Sequence, residues 1–189
     1  MFPTLSAQSM PSVVWLQDVS DDQTIKKIDG SIMGNEGIGI ALTRFNCFRV
    51  NVLDLPEGDV KKKYVKETPA FYFFDPAGKV LKKVVGKRAT SLSSFNKLLS
   101  YTFGKSYVMT LKAFTKVRKY ELDELDKIDL LKQKRDRDQA KHDERPNPSL
   151  LKKIKKQDEV IAARTKAAQE MEEENNRKCG LRPDFLPEE

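Results

Sequence analysis

The 189-residue sequence is one-third charged and 39% hydrophobic, with a formal net charge of +7 and two cysteines. Two cysteines exclude a disulfide-built scaffold and a cysteine-rich zinc site, and no run approaches the ~20 apolar residues of a membrane-spanning helix. Residues 1–104 hold 14 basic and 10 acidic side chains, and residues 105–189 hold 21 and 18, a mixture that speaks against a dedicated nucleic-acid face.

"SVVWLQD" (12–18) is apolar and β-forming, so it predicts a first strand with Trp15 in the core. Ser20 and Gln23 have the spacing of a capping box, with Asp21 and Asp22 in the first turn of a helix. Gly34-Asn35 suits a left-handed turn into a second helical piece carrying Ile38, Ala41, Leu42 and Phe45. "GNEGIGI" (34–40) matches neither a phosphate loop nor a dinucleotide fingerprint. "CFRVNVLD" (47–54) predicts a second strand, and a short helix with Val60, Tyr64 and Val65 follows. "AFYFFD" (70–75) is apolar on both faces, the mark of an interior strand. "DPAG" is a type I turn into "KVLKKVVG" (79–86), whose Lys82-Lys83 pair would blunt an exposed edge. A Ser- or Thr-capped helix then buries Leu92, Phe95, Leu98, Leu99 and Phe103, with Gly104 expected to kink the chain or separate this helix from the next.

The expected domain is residues 12–104, after an N-terminal tail over 1–11. Residues 105–178 read as a charged helical extension: a possible helical hairpin turning near 144–149, or a partly disordered appendage. Its apolar stripes are Leu111, Phe114, Leu122, Leu125 and Ile128, then Leu151, Ile154, Ile161 and Ala168 behind a Ser149 cap. Residues 179–189 read as a flexible tail. "MFPTLSAQSMPS" lacks a basic segment followed by an apolar core, so the default compartment is cytoplasmic; periplasmic or secreted applies if an upstream signal is missing.

The order β-α-β-α-β-β-α, with Thr68-Pro69 directly before the hairpin, resembles the thioredoxin-like superfamily over about residues 12–104. The resemblance implies a minimal α/β fold of that kind without the extra leading strand and helix. It implies a cis peptide bond before Pro69, facing the N-terminus of the first helix, with unpaired backbone beside it that accepts an extended peptide or thiol substrate. At the position of the family's Cys-x-x-Cys this chain reads Ser20-Asp21-Asp22-Gln23. A hydroxyl cannot replace a thiolate in disulfide exchange.

The sequence supports no catalytic residue, cofactor or metal ligand set. Cys47, in "FNCFRV", reads as a buried small hydrophobe and Cys179 as an incidental tail thiol. His142 is a lone histidine in a connector, without the partners of a metal site or a catalytic triad. The expected function is a redox-inactive protein-binding or scaffolding module whose contact ridge is Ser20, Asp21, Asp22, Gln23, Thr68 and Pro69. The tail is a candidate for self-association. The alternatives are a thiol-dependent oxidoreductase using Cys47 or Cys179, and nucleic-acid binding through "KKIKK" (152–156).

Overall fold

Strand β1 (Ser12–Gln17) is buried along almost its whole length because it lies inside the sheet. The computed structural model describes residues 10–185. Most of the expected N-terminal tail and the last four residues lie outside that range. The sheet has the order β2-β1-β3-β4, with β2 (Asn46–Asn51), β3 (Ala70–Phe74) and β4 (Val80–Val85). β1 runs parallel to β2 and antiparallel to β3, and β3 pairs antiparallel with β4. The chain folds as two units, one holding residues up to Thr115 together with those from Cys179 on, the other Lys116–Lys178. The first is a mixed α/β domain built on the four-stranded sheet; the long helical extension follows it in sequence.

The sheet separates two apolar layers. On one face Trp15, Phe71, Phe73 and Val84 meet the helices α1 (Asp22–Ile28), α2 (Glu36–Leu42) and α4 (Leu92–Ser106). On the other, Val14, Leu16, Tyr72 and Phe74 pack with Tyr64 of α3 (Asp59–Glu67). Strict alternation along β1 and β3 feeds both layers, which is why these strands read as unbroken apolar runs. Among the described residues no helix is long and apolar enough to cross a membrane.

Local chemistry corrects several expectations. Asp21, not Ser20, caps α1 by accepting from Thr24 N at 3.1 Å. Ser20 is spent on Asp18, donating its N–H at 2.9 Å and its hydroxyl at 2.6 Å to Oδ1. Such local side-chain turns compete with capping. Gly34 and Asn35 are not left-handed: Gly34 has φ −74° and closes a π-helical turn over Asp29–Met33, while Asn35 caps α2. Glycine is needed at 34 because a Cβ would sit 2.9 Å from the Gly30 carbonyl oxygen. The hairpin turn uses Gly78 at φ 80°, with Lys79 N donating to Asp75 Oδ1 at 2.8 Å. Helix α4 passes through Gly104 and ends at Ser106, so the separation from the next helix falls after Ser106 and not at the glycine.

The expectation of a flexible tail from residue 179 is also corrected. Tyr107 bridges Leu181 in antiparallel fashion, Val108 N donates to Gly180 O at 3.0 Å, and Arg182 N donates to Ser106 O at 2.9 Å. These ties bury Cys179 in the sheet domain's core beside Phe103 and Tyr107. They join residues far apart in sequence, so no local pattern announces them.

In the second unit, α5 (Leu111–Glu144) and α6 (Pro148–Lys178) form an antiparallel hairpin. Cross-pairs Arg118–Glu172 at 2.8 Å, Arg135–Asp158 at 3.3 Å and Lys153–Asp138 at 2.9 Å fix its register. Asn147 caps α6 in place of Ser149, accepting from Ser149 N at 2.9 Å and Leu150 N at 3.3 Å. Proline at 148 suits the first helical position, where its missing N–H costs nothing. His142 closes the turn, with Nδ1 accepting from Asn147 N at 3.0 Å. Ile154 and Ala168 are buried as their spacing predicts, but Leu122, Leu125 and Leu151 are exposed. Ile128 is buried on α5 as expected, and the seam also holds Glu121 and Asp138.

Candidate functional site

At the C-terminal end of β1 the chain opens a cleft of about 100 Å³ between the start of α1 and the segment entering β3. Its lining includes Trp15, Gln17, Asp18, Asp21, Thr68 and Pro69. The Thr68–Pro69 peptide bond is cis. The structure thus brings Asp21, Thr68 and Pro69 together. Ser20, Asp22 and Gln23 are exposed and do not line the cleft. Asp22 faces Lys26 instead, at 2.6 Å.

The backbone beside Pro69 is more occupied than the resemblance implies. Thr68 N donates to Tyr64 O at 3.1 Å, and Pro69 O accepts from Gly86 N at 2.7 Å. The Thr68 hydroxyl also donates to Tyr64 O, at 2.7 Å. These bonds tie the cleft wall to the end of α3 and to the residue after β4.

Two residues that line the cleft carry buried polar atoms without a partner. Trp15 is 2% exposed, and its indole Nε1 has no hydrogen-bond partner. Gln17 Oε1 is likewise buried and unpartnered. Buried polar atoms are nearly always paired, and an orphan costs about 1–3 kcal/mol. Here one donor and one acceptor stand two residues apart on one strand. The rim is acidic: hydrogen bonds from Thr24 hold the Asp21 carboxyl below its usual range, and Asp18 is engaged by Ser20.

Neither thiol lines this cleft. Cys47, expected to be buried, is an exposed residue on the outer strand β2, at the edge of a second groove formed with Trp15, Met33 and Arg49. Side chains around its sulfur still desolvate it and push the thiol up from its ordinary value. Arg49 stacks over the Trp15 ring at 4.1 Å and pairs with Asp29, so its charge is already committed. Cys179, expected in a flexible tail, is buried, and desolvation pushes its thiol up as well. In the basic segment 152–156, Ile154 is buried in the hairpin and Lys153 is paired with Asp138. Among the described residues no group of three or more His, Cys, Asp or Glu side chains is placed to hold a metal ion.

The two thiols should therefore separate in a native alkylation time course. Cys47 should label slowly at pH 8 and faster as pH rises past 9, because a raised pKa lowers its thiolate fraction at any given pH. Cys179 should label only after denaturant is added. Rapid native labelling of Cys179 would contradict its placement in the core.

No protein-family model matches the sequence. A search of curated proteins likewise finds no match. Among solved structures, the chain is similar to the solution structure of a thioredoxin from Thermus thermophilus, at 23% identity and a TM-score of 0.38, over 48% of this chain and 71% of that one.

Proposed function

We propose that the sheet domain is a protein-binding module that seats a polypeptide segment in the cleft beside Pro69 without thiol chemistry. The observation that carries this is the pair of buried orphan polar atoms, Trp15 Nε1 and Gln17 Oε1, on two residues that line the cleft. A donor and an acceptor two residues apart suit one peptide unit of a ligand, whose C=O would accept from the indole while its N–H donates to the amide oxygen. Residues on the strand-to-helix connection supply carboxylates where disulfide exchange needs a thiolate. Two neighbouring carboxylates would disfavour a thiolate in the same cleft electrostatically.

Trp15 is the single tryptophan, so its fluorescence reports on the cleft directly. Peptides of about twelve residues, selected from a random displayed library on the intact chain, should shift that emission. Gln17→Leu should weaken them about tenfold, the value of one buried hydrogen bond to a partner left unpaired. The same substitution should leave unfolding stability unchanged or raised, because it removes an orphan acceptor. Selected peptides that bind Gln17→Leu as tightly as the parent would refute the reading. Insulin-disulfide reduction above background that disappears in Cys47→Ser or Cys179→Ser would also refute it.

A further inference from the structure

From Pro76 to Thr115 the chain contains seven lysines, one arginine and not a single aspartate or glutamate. This stretch builds β4 and α4. Between them runs a groove of about 630 Å³, lined among others by Lys82, Val85, Arg88, Lys97, Leu98 and Tyr101. β4 is an outer strand of the sheet, so one side of its backbone has no strand partner. Val80 and Val85, the first and last residues of β4, are 44% and 36% exposed, although both are β-branched and apolar.

We propose that the β4–α4 groove docks an extended acidic polypeptide segment, which adds to β4 as a further strand and sets carboxylates against Lys82, Arg88 and Lys97. A strand added to a sheet edge gains main-chain hydrogen bonds from that edge and directs alternate side chains to one face. Here the available face carries cations interleaved with Leu98 and Tyr101. Lys83 is already paired with Glu67 at 2.7 Å and is not counted among the cations offered.

Other occupants fit less well. A second copy of this chain would bring one lysine-bearing edge against another, and like charges across a strand pair are destabilising. Lysines on an edge ordinarily serve to prevent pairing. That role accounts for Lys82-Lys83, but not for Arg88 and Lys97 on neighbouring elements or for the absence of acids over the whole stretch. A nucleic acid would use the cations but not the strand edge. It also needs open aromatic faces, and Tyr101 is flanked by the ammonium groups of Lys82 and Lys105 at 5.1 and 5.9 Å from its centroid.

The test uses the full-length chain and a capped peptide alternating glutamate and threonine over about eight residues. Binding should perturb the backbone amides of β4 and the N-terminal half of α4. It should weaken about tenfold in a Lys82→Glu, Lys97→Glu double variant, and between about 50 and 300 mM salt. A Lys153→Glu control in the hairpin should bind as the parent does. Methylating alternate peptide nitrogens should abolish binding while leaving the charge intact. Failure to bind at millimolar peptide would overturn the proposal, as would undiminished binding of the N-methylated peptide. An oligothymidylate that competes at lower concentration than the peptide would overturn it in favour of a general polyanion surface. Loss of the double variant's native circular dichroism would shift the comparison to Arg88→Gln, for which about threefold weakening is expected and none would count against the site. Trp15 emission should not move in any of these titrations, so failure here and failure of the cleft reading are separately visible.

Discussion

Phe95→Ala is expected to cost the sheet domain about 3–5 kcal/mol, the range for truncating a fully buried aromatic ring. Phe95 has no exposed surface and sits where α4 crosses the sheet. Its ring meets Phe71 edge-on at 4.7 Å and Phe73 at 5.4 Å. Phe71 in turn contacts Trp15 at 5.6 Å. The substitution removes the transfer free energy of the ring and leaves a hole that its two aromatic neighbours cannot fill without leaving their rotamers. Domain stabilities of roughly 5–15 kcal/mol make such a loss a large share of the total. Urea unfolding followed by Trp15 emission measures it. Phe48→Ala is the comparison, because Phe48 is 36% exposed on the outer strand and should cost less than about 1 kcal/mol. Equal midpoints for the two variants would mean that α4 is not the lid of this core.

The parts of the fold governed by local pattern were legible in the sequence. β3 reads as an interior strand because both its faces are apolar, and the structure buries all five of its residues. The Asp75–Gly78 turn follows from proline and glycine at fixed offsets. What could not be read depends on competition or on distance in sequence. Ser20 and Asp21 both suit a cap, and only the position of Asp18 decides which is free to serve. Cys179 is buried by the Tyr107–Leu181 bridge, a pairing that has no sequence period.

The cleft was half legible. Pro69 and the missing thiols point to its place, whereas Trp15 was assigned to the core on its ring alone. Its ring is core, but its Nε1 is not satisfied there. The available signal was positional: Trp15 and Gln17 are alternate residues at the C-terminal end of a strand that leads into a helix. Ligand crevices in α/β sheets lie outside that end. The acid-free stretch that builds β4 and α4 does not show in the net charge of residues 1–104, because all ten acids of that half lie before Pro76.

Arg118→Ala should remove about 3 kcal/mol from the helical hairpin, far more than a surface ion pair is worth. Arg118 Nη1 lies 2.6 Å from Glu121 Oε2 and 2.8 Å from Glu172 Oε1. The other oxygen of Glu121 accepts from Asn175 Nδ2 at 2.5 Å. Glu121 is only 4% exposed, so truncating the arginine strands a carboxylate in the seam with one neutral donor. Its hydrogen bond to Glu121 raises the Arg118 pKa further, so the cation persists throughout the accessible range. The cost arises from the charge left behind rather than from the pair itself. Arg118→Met with Glu121→Leu removes both charges and should therefore recover most of the loss. Asp22→Ala, which breaks the solvent-exposed pair with Lys26, should stay within about 0.5 kcal/mol of the parent. Ellipticity at 222 nm follows the helices of both units, and Trp15 emission follows the sheet domain alone; the difference between the two curves isolates the hairpin. If the double variant were as destabilised as Arg118→Ala, the seam would owe its stability to the ion pair, and the stranded carboxylate would not be the cause.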